Sequence, residues 1–203
     1  MTGPGLRERK KQQVRERISG IATMLFLERG FEAVSVAEIA EAAGVSKMTV
    51  FNYFPRKEDL FFDRVPAFAE MITSAVRERS SARSAPEALR DMWLGLLDQR
   101  HPLSGMNDNR ITAFYGVVLA SPALRARVRE ALEEVEALVA RLFAEAGEER
   151  PEMTAALVVA SARVCYTAAA RRILNGVPIE SFAVEQRASI VAAWDAAVAA
   201  ARL

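Results

Sequence analysis

The chain has 203 residues, of which 51% are hydrophobic and 26% are charged, and its formal net charge is +1. This length and composition allow a substantial hydrophobic core and exclude global disorder. The chain has one cysteine, which excludes an intramolecular disulfide. It also has only one histidine, so a zinc site made of cysteines and histidines is excluded. Helical periodicity covers almost the whole chain and strand signals are nearly absent, so we predict an all-α protein.

The first predicted helix covers residues 7–29, where apolar residues recur at spacings of three and four and form one stripe. Gly30 follows at the place of a left-handed helix stop. The second helix is predicted to begin at Ser35, because Glu38 three residues later completes a capping-box pattern. Gly44 ends that helix.

A third, short helix begins at Ser46 and ends before Pro55, which cannot continue the hydrogen-bond ladder. The next helical stretch runs to about Arg79 and contains Pro66, so it is either one kinked helix or two helices in sequence. Later helices are predicted at about 86–101, 109–120, 122–146, 151–175 and 180–202.

Residues 35–53 have the pattern of a helix-turn-helix. Gly44 permits a positive φ in the turn, Ser46 caps the second helix of the motif, and Val50 faces back into the unit. The side chains left on the outer face fit the major groove of DNA; they are Lys47, Met48, Thr49, Asn52 and Tyr53. An ordinary helical hairpin that binds no DNA is the alternative interpretation.

The stretch from Ala22 to Leu60 contains a run of closely spaced motifs: Ala-x-x-Leu-Phe-x-x-x-Gly-Phe at 22–31, Ala-Gly-Val-Ser at 43–46, Thr-x-Phe-x-Tyr-Phe at 49–54 and Lys-Glu-Asp-Leu at 57–60. With these motifs the stretch resembles the TetR family of one-component transcriptional regulators. It implies a homodimer that binds a palindromic operator, with one recognition helix in each of two successive major grooves. It also implies a helix-turn-helix DNA-binding domain at 1–56 and a larger helical ligand-binding and dimerisation domain at 57–203.

By position, the resemblance implies a DNA-facing set of Lys47, Met48, Thr49, Phe51, Asn52, Tyr53 and Lys57. Lysines can reach guanine acceptors or phosphates, hydroxyls suit phosphate oxygens, and Met48 offers only apolar contact, for example to a thymine methyl. Ser35 and Ser46 could also give hydroxyls to phosphates, although capping alone explains both. Phe51 stands where many relatives have tyrosine, and Ala37 stands where some have a polar residue. We therefore expect direct readout to be sparse, with DNA shape or the amino-terminal segment contributing more.

That amino-terminal segment is locally basic, with six basic and two acidic residues within residues 1–20. It either follows phosphates or the minor groove, or it is a solvated, disordered tail. The candidates for the first role are Arg7, Arg9, Lys10 and Lys11.

Aromatic and methionine side chains concentrate in the middle of the chain, between Phe61 and Tyr115, with polar residues among them. This composition is typical of an adaptable apolar cavity, and ordinary core is the alternative. The candidate ligand-lining residues are Trp93, Leu97, Met106, Arg110, Phe114 and Tyr115. Both signs of charge are available nearby, so the charge of the ligand stays open.

Small residues recur along the last two predicted helices and permit close helix contacts. In relatives these two helices pair with their twofold copies, so the resemblance implies a homodimer interface at about 151–175 and 180–202. We expect Trp194 to be a large apolar anchor at or near that interface, with intrachain core as the alternative. Cys165 is expected to be buried and inert.

The sequence shows no nucleophile paired with a base, no glycine-rich phosphate loop and no metal-ligand cluster, so we predict no enzyme activity, cofactor or metal. No apolar run reaches the roughly 18 residues of a membrane span, and we expect a soluble, cytoplasmic protein without a membrane partner. The predicted function is a transcriptional repressor that a small, largely apolar ligand releases from DNA. A protein-interaction module on the same fold, without operator binding, is the alternative.

Overall fold

The structure, a computed structural model, describes residues 5–106 and 110–202, except for the side chains of Leu6, Pro102 and Arg110. These residues form helices joined by turns and loops and contain no strand, which confirms the all-α prediction. The helices are α1 (Leu6–Arg29), α2 (Val36–Ala42), α3 (Lys47–Tyr53), α4 (Val65–Arg77), α5 (Ala85–Asp98), α6 (Arg110–Ala120), α7 (Pro122–Glu145), α8 (Pro151–Leu174) and α9 (Ala183–Ala201). Single turns of 3-10 helix lie at Glu58–Leu60, Pro102–Ser104 and Ile179–Ser181.

Contacts within the chain divide it into two compact units. The amino-terminal unit contains the residues up to Asp63 together with Gly116–Arg127, and the carboxy-terminal unit contains the rest. The sequence placed the boundary between residues 56 and 57. The first unit extends past that point because Leu60 is fully buried in its core.

The boundaries of α1 and α2 have local causes. α1 ends where Gly30 adopts φ +84° and ψ 155° and donates its N–H to the Phe26 carbonyl. The positive φ favours glycine, but the ψ angle is extended, so the predicted left-handed stop is wrong in detail. α2 begins after Ser35, whose hydroxyl accepts a hydrogen bond from the Glu38 N–H while the Glu38 carboxylate accepts one from the Ser35 N–H. The predicted capping box is therefore present.

The stretch after α3 forms two helical pieces instead of one kinked helix. A single 3-10 turn at Glu58–Leu60 comes first, and α4 begins separately at Val65. Pro66 lies in the first turn of α4, where a missing N–H removes no intrahelical hydrogen bond. Proline therefore starts this helix without bending it.

One apolar core joins α1, α2 and α3 in the amino-terminal unit. Ile18, Ala22 and Phe26 lie on the predicted stripe of α1 and are fully buried. The Phe26 ring lies 4.9 Å from the Phe31 ring and 5.7 Å from the Phe61 ring. The predicted inward positions of the motif are also buried, namely Ile39, Ala40, Ala43 and Val50.

The carboxy-terminal unit contains two apolar clusters, and α8 and α9 contribute to both. The first includes Ile72, Leu89, Leu142, Val158 and Trp194. The second includes Leu94, Met106, Tyr115, Cys165 and Phe182. A buried hydrogen bond of 2.8 Å from the Gln186 side-chain amide to the Cys165 carbonyl ties α9 to α8.

Trp194 belongs to this interior, which corrects the expectation that it anchors an interface. The side chain is 3% exposed, and its Nε1–H donates to the Pro86 carbonyl at 3.1 Å. Cys165 is buried, and burial raises the pKa of its thiol, which disfavours the reactive thiolate as expected.

By length and composition alone, α8 is apolar enough to cross a membrane. From the sequence we expected no membrane span, because Arg163 interrupts the apolar run. The criterion of length and mean hydropathy accepts a helix that contains up to two charged residues. Thr154, Ala155 and Val158 on this helix are buried by contacts inside the carboxy-terminal unit. A core helix of a globular protein has these same properties.

Candidate nucleic-acid interface

The turn between α2 and α3 sets which side of α3 faces outward. Gly44 has φ +64°, in the region that favours glycine, and the Val45 N–H donates to the Ala40 carbonyl at 2.9 Å. Ser46 caps α3, because its Oγ accepts a hydrogen bond of 3.0 Å from the Thr49 N–H. Val50 is fully buried. A capped start and a buried middle residue fix the rotation of α3 about its own axis.

The side of α3 turned away from Val50 carries Lys47, Met48, Phe51 and Asn52, all of them exposed. Met48 is 69% exposed and Phe51 is 45% exposed. Thr49 and Tyr53 are half-buried and flank the exposed side. We call these six side chains the recognition face. The outward positions predicted from the sequence therefore lie together on one short helix.

The hydroxyls predicted to meet phosphates have partners within the unit. The Thr49 Oγ1 lies 2.9 Å from the Ser46 Oγ, and either atom can donate. The Ser35 Oγ accepts from the Glu38 N–H. These hydroxyls therefore contribute first to the helix starts, which is the capping role that the sequence left open.

Arg15 supports the far end of α3, a role that sequence reasoning missed. Its guanidinium donates to the Tyr53 carbonyl at 2.9 Å and to the Asp63 carbonyl at 3.3 Å. The same group lies 4.3 Å from the centre of the Phe54 ring. A signal was present in the sequence, because Arg15 precedes the buried Ile18 by three residues and so lies on the inward side of α1.

Lys57 lies in a different environment from the exposed recognition face. Its Nζ donates to the Phe31 carbonyl at 2.6 Å and lies 4.1 Å from the centre of the Phe31 ring. Burial lowers the pKa of this ammonium group. Because these contacts hold the ammonium inside the unit, Lys57 is positioned as a brace between the 3-10 turn and the end of α1.

Two contacts tie residues 116–127 into the amino-terminal unit. The Ser121 hydroxyl donates to the Glu32 carboxylate at 2.6 Å. The Arg127 guanidinium donates to the Asp59 carboxylate at 3.0 Å, and its side chain is only 9% exposed. The scaffold behind the recognition face thus includes residues far away along the chain.

The capping box at α2 has a strong electrostatic signature at Glu38. Hydrogen bonds from the Ser35 N–H and hydroxyl, together with the Arg29 guanidinium, lower the pKa of Glu38 from 4.5 to about 2. A carboxyl whose pKa is depressed by folding contributes stability above pH 4.5. That contribution is lost as the pH falls from 4.5 to about 2.

Replacing Ser35 by alanine is expected to raise the pKa of Glu38 towards 4.5, because the hydroxyl contact disappears. Carboxyl carbon chemical shifts followed over pH measure this directly. Ser84→Ala is the matched control, since Ser84 forms the same capping box with Glu87 at the start of α5 and also lowers the pKa of that carboxyl. The control should raise the pKa of Glu87 and leave the pKa of Glu38 unchanged. An unchanged pKa of Glu38 in Ser35→Ala would show that the Ser35 hydroxyl does not lower it.

The family model described as "Bacterial regulatory proteins, tetR family" matches residues 21–63, the stretch that contains the helix-turn-helix. The HTH-type transcriptional regulator TcmR of Streptomyces glaucescens is 31% identical over 144 residues, which cover 70% of this chain and 64% of TcmR. This chain belongs to the TetR family. It spans less than two thirds of the length of TcmR in that match.

Solved structures share the fold across nearly the whole chain. A putative TetR-family regulator from Mesorhizobium loti has a TM-score of 0.57 at 20% identity and covers 93% of this chain and 96% of its own. NalD of Pseudomonas aeruginosa, the secondary repressor of the MexAB-OprM multidrug efflux pump, has a TM-score of 0.58 at 19% identity. The match covers 90% of this chain and 96% of NalD. At these identities the likeness concerns the fold.

The ligand-lining candidates of this TetR-family chain fall in one place. Leu97, Met106 and Tyr115 are buried in the second cluster of the carboxy-terminal unit, and Trp93 and Phe114 pack against it. The side chain of Arg110, the sixth candidate, lies outside the described residues. The structure therefore brings five of the six together as packed apolar core.

Gly105 lies beside Tyr115 and Tyr166 of this cluster and has φ +71°. A Cβ there would collide with the Tyr166 ring and would lie 2.7 Å from the Tyr115 hydroxyl. The Tyr115 hydroxyl donates to the Gly105 carbonyl at 3.4 Å, and burial raises the pKa of both tyrosines. The backbone at Gly105 therefore packs closely against the two tyrosine side chains, which leaves no room there for a larger residue.

Proposed function

We propose that this TetR-family chain is a DNA-binding transcriptional regulator, and specifically a cytoplasmic repressor without enzyme activity. It binds a palindromic operator as a homodimer and is released by a small, largely apolar ligand. The observation that carries this proposal is the exposed recognition face on α3. The orientation of this helix is fixed by the Ser46 cap, by the buried Val50 and by the hydrogen bond from Arg15 to the Tyr53 carbonyl.

On DNA, α3 enters the major groove with the recognition face towards the base edges. Lys47 reaches a guanine acceptor or a phosphate, and Asn52 reaches an adenine edge or a phosphate. The Tyr53 hydroxyl suits a phosphate oxygen. The start of α1 is helical, and its exposed basic side chains add phosphate contacts; they are Arg7, Arg9, Lys10 and Lys11.

The homodimer is proposed to form through α8 and α9. On α8, Met153 is 53% exposed and Val164 is 56% exposed, and on α9 Val184 is 84% exposed. Exposed alanines continue these apolar surfaces and permit close approach of a second copy, namely Ala160, Ala168, Ala188 and Ala192. In this arrangement the two-fold symmetry of the dimer matches that of the operator.

Val164→Arg is expected to convert the dimer into a monomer. Each of the two copies would bury one guanidinium in the interface without an anionic partner. Sedimentation velocity of the purified protein measures the change. Met24→Arg is the control, since Met24 is 49% exposed on α1 and lies in the other unit. A dimer that survives Val164→Arg would place the interface elsewhere.

Release by a ligand requires a difference in binding free energy between two states. A ligand that inserts between the aromatic residues of the second cluster favours a state with altered spacing of the two recognition helices. Operator binding needs that spacing near one DNA turn, about 34 Å. The apolar character of Leu97, Met106 and Phe114 supports a largely apolar ligand.

The proposal is tested by selecting binding sites for the purified chain from a library of randomised duplexes. We expect an enriched palindrome whose half-site centres are one helical turn apart, or a multiple of one turn. A folded protein that enriches no sequence would contradict the proposal as a whole. An enriched site without two-fold symmetry would contradict only the dimeric mode of binding.

A further inference from the structure

Two tyrosine hydroxyls meet inside the second apolar cluster of the carboxy-terminal unit. The rings of Tyr115 and Tyr166 lie 5.7 Å apart, edge to face, and the hydroxyl-bearing ends of both lie beside Gly105. The two hydroxyls form a hydrogen bond with each other. The Tyr115 hydroxyl also donates to the Gly105 carbonyl, but at 3.4 Å this bond is longer than the usual range of about 2.5–3.0 Å between two oxygens. The Tyr115 hydroxyl therefore has one loose contact inside the protein.

The side chains around this polar group carry no charge among the described residues of the cluster. They are aliphatic, aromatic or sulfur-containing. Burial raises the pKa of Tyr115, of Tyr166 and of the Cys165 thiol, so these groups stay in their neutral forms. A charged ligand group would meet no opposite charge among these side chains, and burial of an unpaired charge is strongly unfavourable.

A hydroxyl is the ligand group that suits the loose contact between Tyr115 and Gly105. Its oxygen accepts the Tyr115 proton while its own proton goes to the Gly105 carbonyl, so one long hydrogen bond is replaced by two of ordinary length. An ether or carbonyl oxygen accepts but does not donate, and it would leave the Gly105 carbonyl without a partner. Because the two groups are in contact in this structure, a hydroxyl enters only when they separate.

Resting on the proposed function, we propose that the releasing ligand is an uncharged, apolar molecule with a hydroxyl group that bridges the Tyr115 hydroxyl and the Gly105 carbonyl. Phenols and other aromatic alcohols have this chemistry. The apolar part of the ligand packs against the rest of the cluster, including Trp93 and Phe114. Such a ligand binds the state in which Tyr115 and Gly105 are apart better than the packed state, which is the difference in affinity that release requires.

The test measures the affinity of the full chain, without DNA and near neutral pH, for four matched probes by isothermal titration calorimetry. The probes are 4-propylphenol, 4-propylanisole, propylbenzene and 4-propylbenzoate, which differ only in the group opposite the propyl chain. We expect 4-propylphenol to bind at least about fivefold more tightly than 4-propylanisole or propylbenzene, because neither of these donates a hydrogen bond. The charged 4-propylbenzoate should bind at least about 30-fold more weakly than 4-propylphenol.

Tyr115→Phe keeps the ring and removes the hydroxyl, so its affinities for 4-propylphenol and propylbenzene should agree within about twofold. Retained binding of propylbenzene shows that the site in this variant is still folded. Tyr53→Phe is the matched control, since it makes the same change on α3 in the other unit. It should keep the wild-type preference for 4-propylphenol among the four probes.

Three wild-type results would overturn the inference: equal affinity for 4-propylphenol and propylbenzene, tighter binding of 4-propylbenzoate, or no binding of 4-propylphenol. An unchanged preference for 4-propylphenol in Tyr115→Phe would overturn it as well. None of these results bears on the selection of a duplex by the protein. A folded protein that selects no duplex would instead count against the proposed function.

Discussion

Replacing Trp194 by alanine is expected to lower the free energy of unfolding by about 3–5 kcal/mol. The side chain is 3% exposed in the first cluster of the carboxy-terminal unit, so its removal leaves a large cavity. Its Nε1–H also donates to the Pro86 carbonyl, which would lose this partner inside the protein. Urea denaturation followed by far-ultraviolet circular dichroism measures the change.

The control for Trp194→Ala is Glu133→Ala, at an exposed position on α7 in the same unit and outside the proposed dimer interface, where we expect a change within about 0.5 kcal/mol. Both variants are compared with the wild type at two protein concentrations. An interface anchor would behave differently: Trp194→Ala would weaken self-association and leave the unfolding of the monomer unchanged. That outcome would restore the sequence-based expectation for this residue.

The double substitution Lys47→Ala and Tyr53→Phe is expected to weaken binding to the selected duplex by at least about 30-fold. The first change removes an exposed ammonium group from the start of the recognition face, and the second removes one hydroxyl. A base-edge or phosphate contact is typically worth about 1–3 kcal/mol, and a single neutral hydrogen bond about 1 kcal/mol. Fluorescence anisotropy at fixed salt measures the affinity.

Arg141→Ala is the control for charge, since Arg141 is exposed on α7 in the carboxy-terminal unit. It should change the affinity by less than about twofold if the effect of Lys47 comes from direct contact. Circular dichroism of the double variant should match the wild type, because Lys47 is exposed and Tyr53→Phe keeps the half-buried ring. Unchanged affinity in the double variant would show that the assignment of contacts on α3 is wrong.

The helix-turn-helix could be located from sequence because its signals act over a few residues. Ser35 and Glu38 form the predicted capping box, Gly44 has the predicted positive φ, and Ser46 caps α3. Each of these features depends on backbone hydrogen bonds within four residues, so a local pattern is sufficient. Helical periodicity then placed Val50 in the core.

The extent of the amino-terminal unit could not be predicted, because it depends on contacts between distant residues. Ser121 and Glu32 are 89 residues apart, and Arg127 and Asp59 are 68 residues apart. A hydroxyl or a guanidinium on a helix carries no periodic signal for a partner so far along the chain. The inclusion of Gly116–Arg127 in this unit therefore required the three-dimensional structure.

Two side chains have surroundings that the sequence did not indicate. The resemblance implies that Lys57 belongs to the DNA-facing set, and in the structure its ammonium group contacts the Phe31 carbonyl and ring. Trp194 was expected at or near an interface because small residues recur along the last two helices and these helices pair with their copies in relatives. That pattern does not distinguish the buried side of α9 from the exposed one. Both side chains are large and carry a polar group, which in the structure donates to a backbone carbonyl of the same unit. The sequence does not reveal these partners.

The central claim is that α3 reads sequence while the basic surface around it binds phosphate. The most direct test is fluorescence anisotropy of the selected duplex and a scrambled duplex of equal composition, each at 50 and 200 mM salt. We predict tighter binding to the selected duplex at both concentrations, and a loss of at least about tenfold for both duplexes at the higher salt. Equal affinity for the two duplexes would contradict the claim that the recognition face reads base sequence.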